Sequence, residues 1–130
     1  MTSLTIHDET ASGRPVDTLT LADLPSSITV REMVRLRVRE EVARHNATPS
    51  TTFRGLVRPT GAEAAANGYR LKQARRIDWE AQADVAVDAF SRNGFFILVG
   101  DRQVTDLDEV IELDPEPHVA FVKLTPLAGG

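Results

Sequence analysis

The sequence predicts an α+β domain, and three observations point there. Two stretches near the N-terminus alternate apolar and polar residues across a Gly/Pro-rich turn. Two later stretches combine helix start signals with apolar residues three and four apart. Between residues 95 and 123 come apolar runs rich in β-formers. A chain of 130 residues suits one domain with one core.

The first two strands are expected in "SLTIHDET" and "VDTLTLAD", joined by "ASGRP". Leu4 and Ile6 share one face of the first, and Leu19 and Leu21 one face of the second. A helix is expected from about Thr29 to about His45. Thr29 and Glu32 have capping-box spacing, with Ile28 and Met33 placed as a hydrophobic staple. Val30, Val34 and Val38 form its apolar stripe, and Arg37 and Glu41 beside it are spaced to pair. Arg31, Arg35 and Arg39 read as a solvated face.

Residues 47–77 carry Pro49, Gly55, Pro59, Gly61 and Gly68 among small polar residues. A structureless loop of that length is unusual inside a domain. The segment reads as an inserted hairpin or a partly disordered stretch, with short strands in "TFRGLVR" and "YRLKQA". The second helix then starts at an Asp78 cap. Trp79, Ala83, Ala86, Val87 and Phe90 lie on its core face, and Gly94 after Asn93 stops it. "FFILVG" reads as an interior strand, with a short strand around Val104 to follow. An acidic segment anchored by Leu107, Ile111 and Leu113 leads to a last strand, "HVAFVKLTPL", whose pairing Pro126 ends. There are no internal repeats.

The net charge of −4 argues against a polyanionic partner such as nucleic acid. With no cysteine, the chain has no disulfide, thiolate metal site or cysteine nucleophile of its own. No apolar run is long enough to cross a bilayer, and "MTSLTIHDET" lacks the basic start and apolar core of a signal peptide. A cytoplasmic protein with no membrane partner is expected.

Without residues 47–93, the element order is hairpin, helix, strand, turn, short connection, last strand and a tail in Gly-Gly. "FFILVGDRQVTDLDEVIELDPEPHVAFVKLTPLAGG" resembles the second half of ubiquitin along its length. Its glycine-closed apolar strand, its polar turn with Gln103 and Val104 and its acidic link before the last strand all have counterparts there. "TIHDETASGRPVDTLTLADLPSSITVREMV" resembles the first hairpin and capped helix. The resemblance covers about residues 3–45 and 95–130. More specifically, the chain looks like the bacterial ubiquitin-like proteins encoded in conjugation operons associated with antiphage defence. The resemblance implies a single ubiquitin-like domain over residues 1–130. Its fold would be a β-grasp, a mixed sheet packed on a helix, with an insertion at about 47–93 carrying the second helix and a flexible tail at 126–130.

It also implies a protein modifier and not an enzyme. In the family an activating enzyme adenylates the C-terminal carboxylate, which passes as a thioester to cysteines and finally to a target lysine. The implied partners are an activating enzyme, a conjugating enzyme, a deconjugating isopeptidase and target protein lysines, with no resident cofactor. By position, Gly130 would carry the reactive carboxylate, Gly129 would be its slim neighbour, and Leu127 the tail side chain that processing enzymes read. Glycine suits a tail that threads a narrow cleft, because it has no Cβ. At about 7% glycine, a terminal Gly-Gly is expected by chance in well under about one chain in a hundred. Because Gly130 is the last residue, no pro-peptide removal is expected. Pro126 and Ala128 stand where ubiquitin has arginines, which suggests a dedicated activating enzyme. A sulfur carrier using a C-terminal thiocarboxylate, and a non-covalent β-grasp interaction module, stay open as alternatives, as does a tail without a role.

Ile97 matches the central isoleucine of ubiquitin's partner-binding patch, and Leu124 lies near a second patch position on the last strand, where a one-residue slip would exchange the exposed and buried sets. Core placement of Ile97 is an equal alternative. Lysines are only Lys72 and Lys123. Asp101 and Arg102 stand near ubiquitin's main chain-linking lysine, so Lys72 is the candidate acceptor, with an ordinary surface lysine as the plain reading. His7, Asp8 and Glu9 are adjacent on a strand and point to opposite faces, and His45 and His118 lack ligand spacing, so no metal site is expected.

Overall fold

The computed structural model describes residues 1–65 and 68–124, and the chain is α+β. It divides into two compact units, one formed by residues 1–33 and 89–130, the other by residues 34–88.

In the first unit, β1 (Thr2–Thr10) and β2 (Pro15–Leu24) form the expected antiparallel hairpin. Gly13 turns the chain at φ +85°, a region that costs glycine little, and its N–H donates to the Thr10 carbonyl at 2.9 Å. A third strand, β3 (Ser27–Thr29), follows and leads into α1 (Val30–Ala47). The capping box is formed. Glu32 N–H donates to Thr29 Oγ1 and Thr29 N–H to Glu32 Oε1, each at 3.1 Å. The next orphan donors of the helix end are met from far along the chain. Val30 N–H donates to the Glu109 carbonyl and Arg31 N–H to the Leu107 carbonyl, both at 2.9 Å. Ile28 and Met33, the staple pair, are buried.

The second unit begins inside α1 and contains most of the inserted segment. Of the two sequence readings, the inserted hairpin is the one that agrees with the described residues. The segment forms a small antiparallel sheet from β4 (Thr52–Phe53), β5 (Glu63–Ala65) and β6 (Gly68–Arg70), in the order β4-β6-β5. Phe53, Leu56, Val57, Ala62, Leu71 and Ile77 are all buried. Side chains of α1 hold its backbone. Glu41 Oε1 accepts the Leu56 N–H at 3.2 Å, and a ring nitrogen of His45 lies 2.7 Å from the Arg75 carbonyl. The Asn46 carboxamide pairs with both backbone polar groups of Ile77. These contacts satisfy peptide groups that so short a sheet leaves over.

Arg37 and Glu41 pair as their spacing predicts, with Arg37 Nη2 3.1 Å from Glu41 Oε2. The pair is deeply buried, Arg37 being 1% exposed. Arg35 and Arg39 are not a plain solvated face. Their guanidinium carbons lie 5.4 and 5.6 Å from the centroid of the Trp79 ring.

The second helix, α2 (Trp79–Ser91), is capped by Asp78, whose Oδ1 accepts the Glu80 N–H at 3.0 Å. The left-handed position at its C-terminal end belongs to Asn93 (φ +61°) and not to Gly94. Gly94 sits in a tight place instead. Its N–H donates to the Ala89 carbonyl at 2.8 Å, and a Cβ there would meet that oxygen at 3.1 Å.

The chain then returns to the first unit through β7 (Phe95–Val99), β8 (Arg102–Val104), β9 (Val110–Glu112) and β10 (Val119–Lys123). The main sheet has the order β2-β1-β10-β7-β8 and is mixed, since β1 and β10 run parallel and the other neighbours antiparallel. β9 pairs with β3, which pins the acidic segment, and Ile111 and Leu113 are buried as expected of anchors. Among the described residues no helix is long and apolar enough to cross a membrane.

Candidate functional site

Gly129, Gly130 and Leu127, with Pro126 and Ala128, lie outside the described residues. The strand that leads to them is β10, interior to the main sheet and paired on both sides. Lys123 ends it, and its Nζ lies 3.8 Å from Asp8 Oδ2. Leu124 follows and is 46% exposed.

The register of β10 against β7 and β1 decides which side chains share a face. Ile97 pairs with Phe121 and Val104, and Phe121 with Asp8 of β1. Leu4, Ile6, Leu19, Phe95 and Val119 stand on the same face by strand alternation, and all are buried. Ile97 is 0% exposed. It belongs to the core face and is not available as a partner-binding side chain. Its neighbours Phe96 and Leu98 face the other way by strand alternation.

That second face carries Phe96 and Leu98 of β7 opposite Val122 and Ala120 of β10. Phe96, Leu98 and Val122 are half-buried, and Gln103 of β8 lies beside Leu98. On the other side come Thr5, His7 and Glu9 of β1. The His7 and His118 rings stack there with centroids 4.3 Å apart and planes inclined by 19°. His118 Nε2 is 3.9 Å from Glu9 Oε2, so a protonated His118 would face a carboxylate. Glu116 joins this edge by accepting the Thr5 N–H at 3.0 Å. The pairing of His7 with His118 was not legible from spacing, because it depends on the parallel β1–β10 ladder. The alternation of Thr5, His7 and Glu9 on β1 was the local signal.

No family model matches the chain. No curated protein and no solved structure matches it either.

Lys72 is exposed in the second unit, just after β6. It lines a recess of about 350 Å³ together with Thr60, Gly61, Leu71, Gln73 and Arg75. Arg75 Nη2 donates to the Thr60 carbonyl, so two of the lining residues are tied together. Nearby, burial pushes the Tyr69 hydroxyl above its ordinary pKa, with the Arg58 guanidinium pulling the other way. Among the described residues no group of three or more His, Asp and Glu side chains is placed to hold a metal ion.

Proposed function

We propose that the protein is a ubiquitin-like modifier with a β-grasp fold, joined through the carboxylate of Gly130 to lysines of other proteins. The observation that carries the reading is the order β2-β1-β10-β7-β8 with β1 and β10 parallel, followed after Lys123 by the sequence LTPLAGG. A β-grasp of the ubiquitin kind has this order, in which the first and last strands lie side by side. The tail therefore leaves from a strand held on both edges, while the tail residues themselves have small or aliphatic side chains. Gly130 is the residue to be adenylated, Gly129 keeps the approach narrow, and Leu127 is read by processing enzymes. The partners are an activating enzyme, a conjugating enzyme and a deconjugating isopeptidase of a bacterial conjugation operon, in the cytoplasm. Defence against phage is the role this placement implies. Lys72 is the acceptor if the modifier is attached to itself, since Lys123 is half-buried beside Asp8.

The test is a conjugation assay with the genomically neighbouring activating enzyme, ATP and cell lysate. A modifier yields bands that resist reducing agent and are heavier by this protein's mass. Trypsin cuts after Lys123, so the acceptor lysines should carry the remnant LTPLAGG in mass spectra. A sulfur carrier would instead gain a small mass on its own chain, and an interaction module would give neither result. Deletion of Gly129 and Gly130 should abolish attachment and leave the melting temperature within about 1 °C, as for residues beyond the last strand. Attachment that survives the deletion would end the proposal.

A further inference from the structure

Charge is divided unevenly along the chain. Residues 34–88 hold ten Lys and Arg against seven Asp and Glu, whereas the remaining residues hold five against twelve. The excess comes from residues 47–77, which carry Arg54, Arg58, Arg70, Lys72, Arg75 and Arg76 and one acid, Glu63. All six cations are exposed. Among the described residues none of them is in an ion pair, whereas Arg31, Arg35, Arg37, Arg44 and Arg102 each have a carboxylate partner. Cations without a carboxylate partner gain when an anion meets them, and two of the six, Lys72 and Arg75, line one recess.

The recess is lined by Leu71, which is buried, and by residues with polar or cationic side chains, Lys72, Arg75, Gln73 and Thr60. The bond from Arg75 Nη2 to the Thr60 carbonyl holds the planar donor group in place and leaves its other N–H groups for a ligand. At about 350 Å³ the space is at the small end for ligand pockets, suited to an acidic side chain with its methylenes on Leu71.

We propose that this recess is a carboxylate-binding site that takes a short acidic segment of a partner protein. A nucleic acid fits less well. Among the described residues no aromatic side chain lines the recess for base stacking. The site acts without Gly130, and its test uses no activating enzyme, so its fate is separate from that of the modifier reading.

The experiment titrates the full chain into a fluorescein-labelled hexaglutamate peptide at low salt, with hexaglutamine and oligothymidylate as comparison probes. The expected result is saturable binding of hexaglutamate alone, weakened by added salt. Amide resonances of Gly61, Lys72, Gln73 and Arg75 should shift. Lys72→Gln combined with Arg75→Gln should weaken binding by at least about tenfold, as for the loss of charge-assisted hydrogen bonds. Arg75→Lys keeps the charge and should cost only a few-fold, while Arg14→Gln, an exposed cation outside the insertion, should change nothing. Three results would overturn the proposal: no saturable binding, tighter binding of oligothymidylate, or full binding by the double variant.

Discussion

The carboxamide of Asn46 is hydrogen-bonded to both backbone groups of Ile77. Nδ2 donates to the carbonyl at 2.9 Å, and Oδ1 accepts the N–H at 2.8 Å. One side chain of α1 thus stands in for a strand neighbour and fixes the chain just before the Asp78 cap of α2. Asn46→Ala should leave two part-buried peptide groups without partners and destabilise the protein by about 2–3 kcal/mol. Asn46→Asp, which keeps the acceptor, should cost less. Urea unfolding gives the magnitudes, and hydrogen exchange at the Ile77 amide checks the location.

The buried Arg37–Glu41 pair should respond in a strongly non-additive way. Removing one partner takes from the other its buried counter-charge, so Arg37→Met or Glu41→Leu alone should cost about 3–5 kcal/mol. The double variant should cost much less than the two together. It should still fall short of wild type, because Glu41 also accepts the Leu56 N–H. Additive losses in a double-mutant cycle would show that the two charges do not depend on each other.

Trp79 is the only tryptophan, so its fluorescence reports the contact between α1 and the start of α2 within the second unit. The ring is half-buried, and Arg35 and Arg39 lie against it. Trp79→Ala should cost about 2–3 kcal/mol, below the about 3–5 of a fully buried large aromatic. Arg35→Ala and Arg39→Ala should each shift the emission of the folded protein and cost about 0.5–1 kcal/mol.

Glu109 supplies the pH dependence that can be assigned. Arg102 Nη2 donates to its Oε2 at 2.6 Å, and this hydrogen bond holds the carboxyl below its ordinary pKa. A carboxyl with a lowered folded-state pKa stabilises fully above the unfolded value and loses that contribution as pH falls through the folded value. The matching shift on Arg102 is upward and lies outside the acidic range. Glu109→Gln should therefore lower the melting temperature at neutral pH, and the gap to wild type should close in acid. Added salt should narrow it too, because the pair is solvent-facing.

Legibility followed the range of the interaction. The Thr29 capping box, the Asp78 cap and the Gly13 turn each involve residues within a few positions, so their chemistry can be read directly. The i, i+4 spacing of Arg37 and Glu41 announced their pairing, although not its depth. The run FFILV could not disclose its own facing, because every position is apolar and either parity would satisfy a core. Ile97 was therefore a candidate for a partner surface until its pairing with Phe121 placed it inside. The insertion was obscure for a related reason. Its strands are two or three residues long, and its order depends on Glu41, His45 and Asn46 from a helix that precedes it.

By itself the sequence determined the elements: the hairpin, both capped helices and the apolar strands. Local backbone preference and side-chain periodicity act over a few residues, and they are written in the chain one turn at a time. The tertiary structure decided what lies beside what. The β1–β10 ladder stacks His7 on His118, β9 meets β3, and Lys72 and Arg75 come to one recess against Thr60. Those neighbours are distant in sequence, and only the closing of long loops by burial and backbone pairing brings them together.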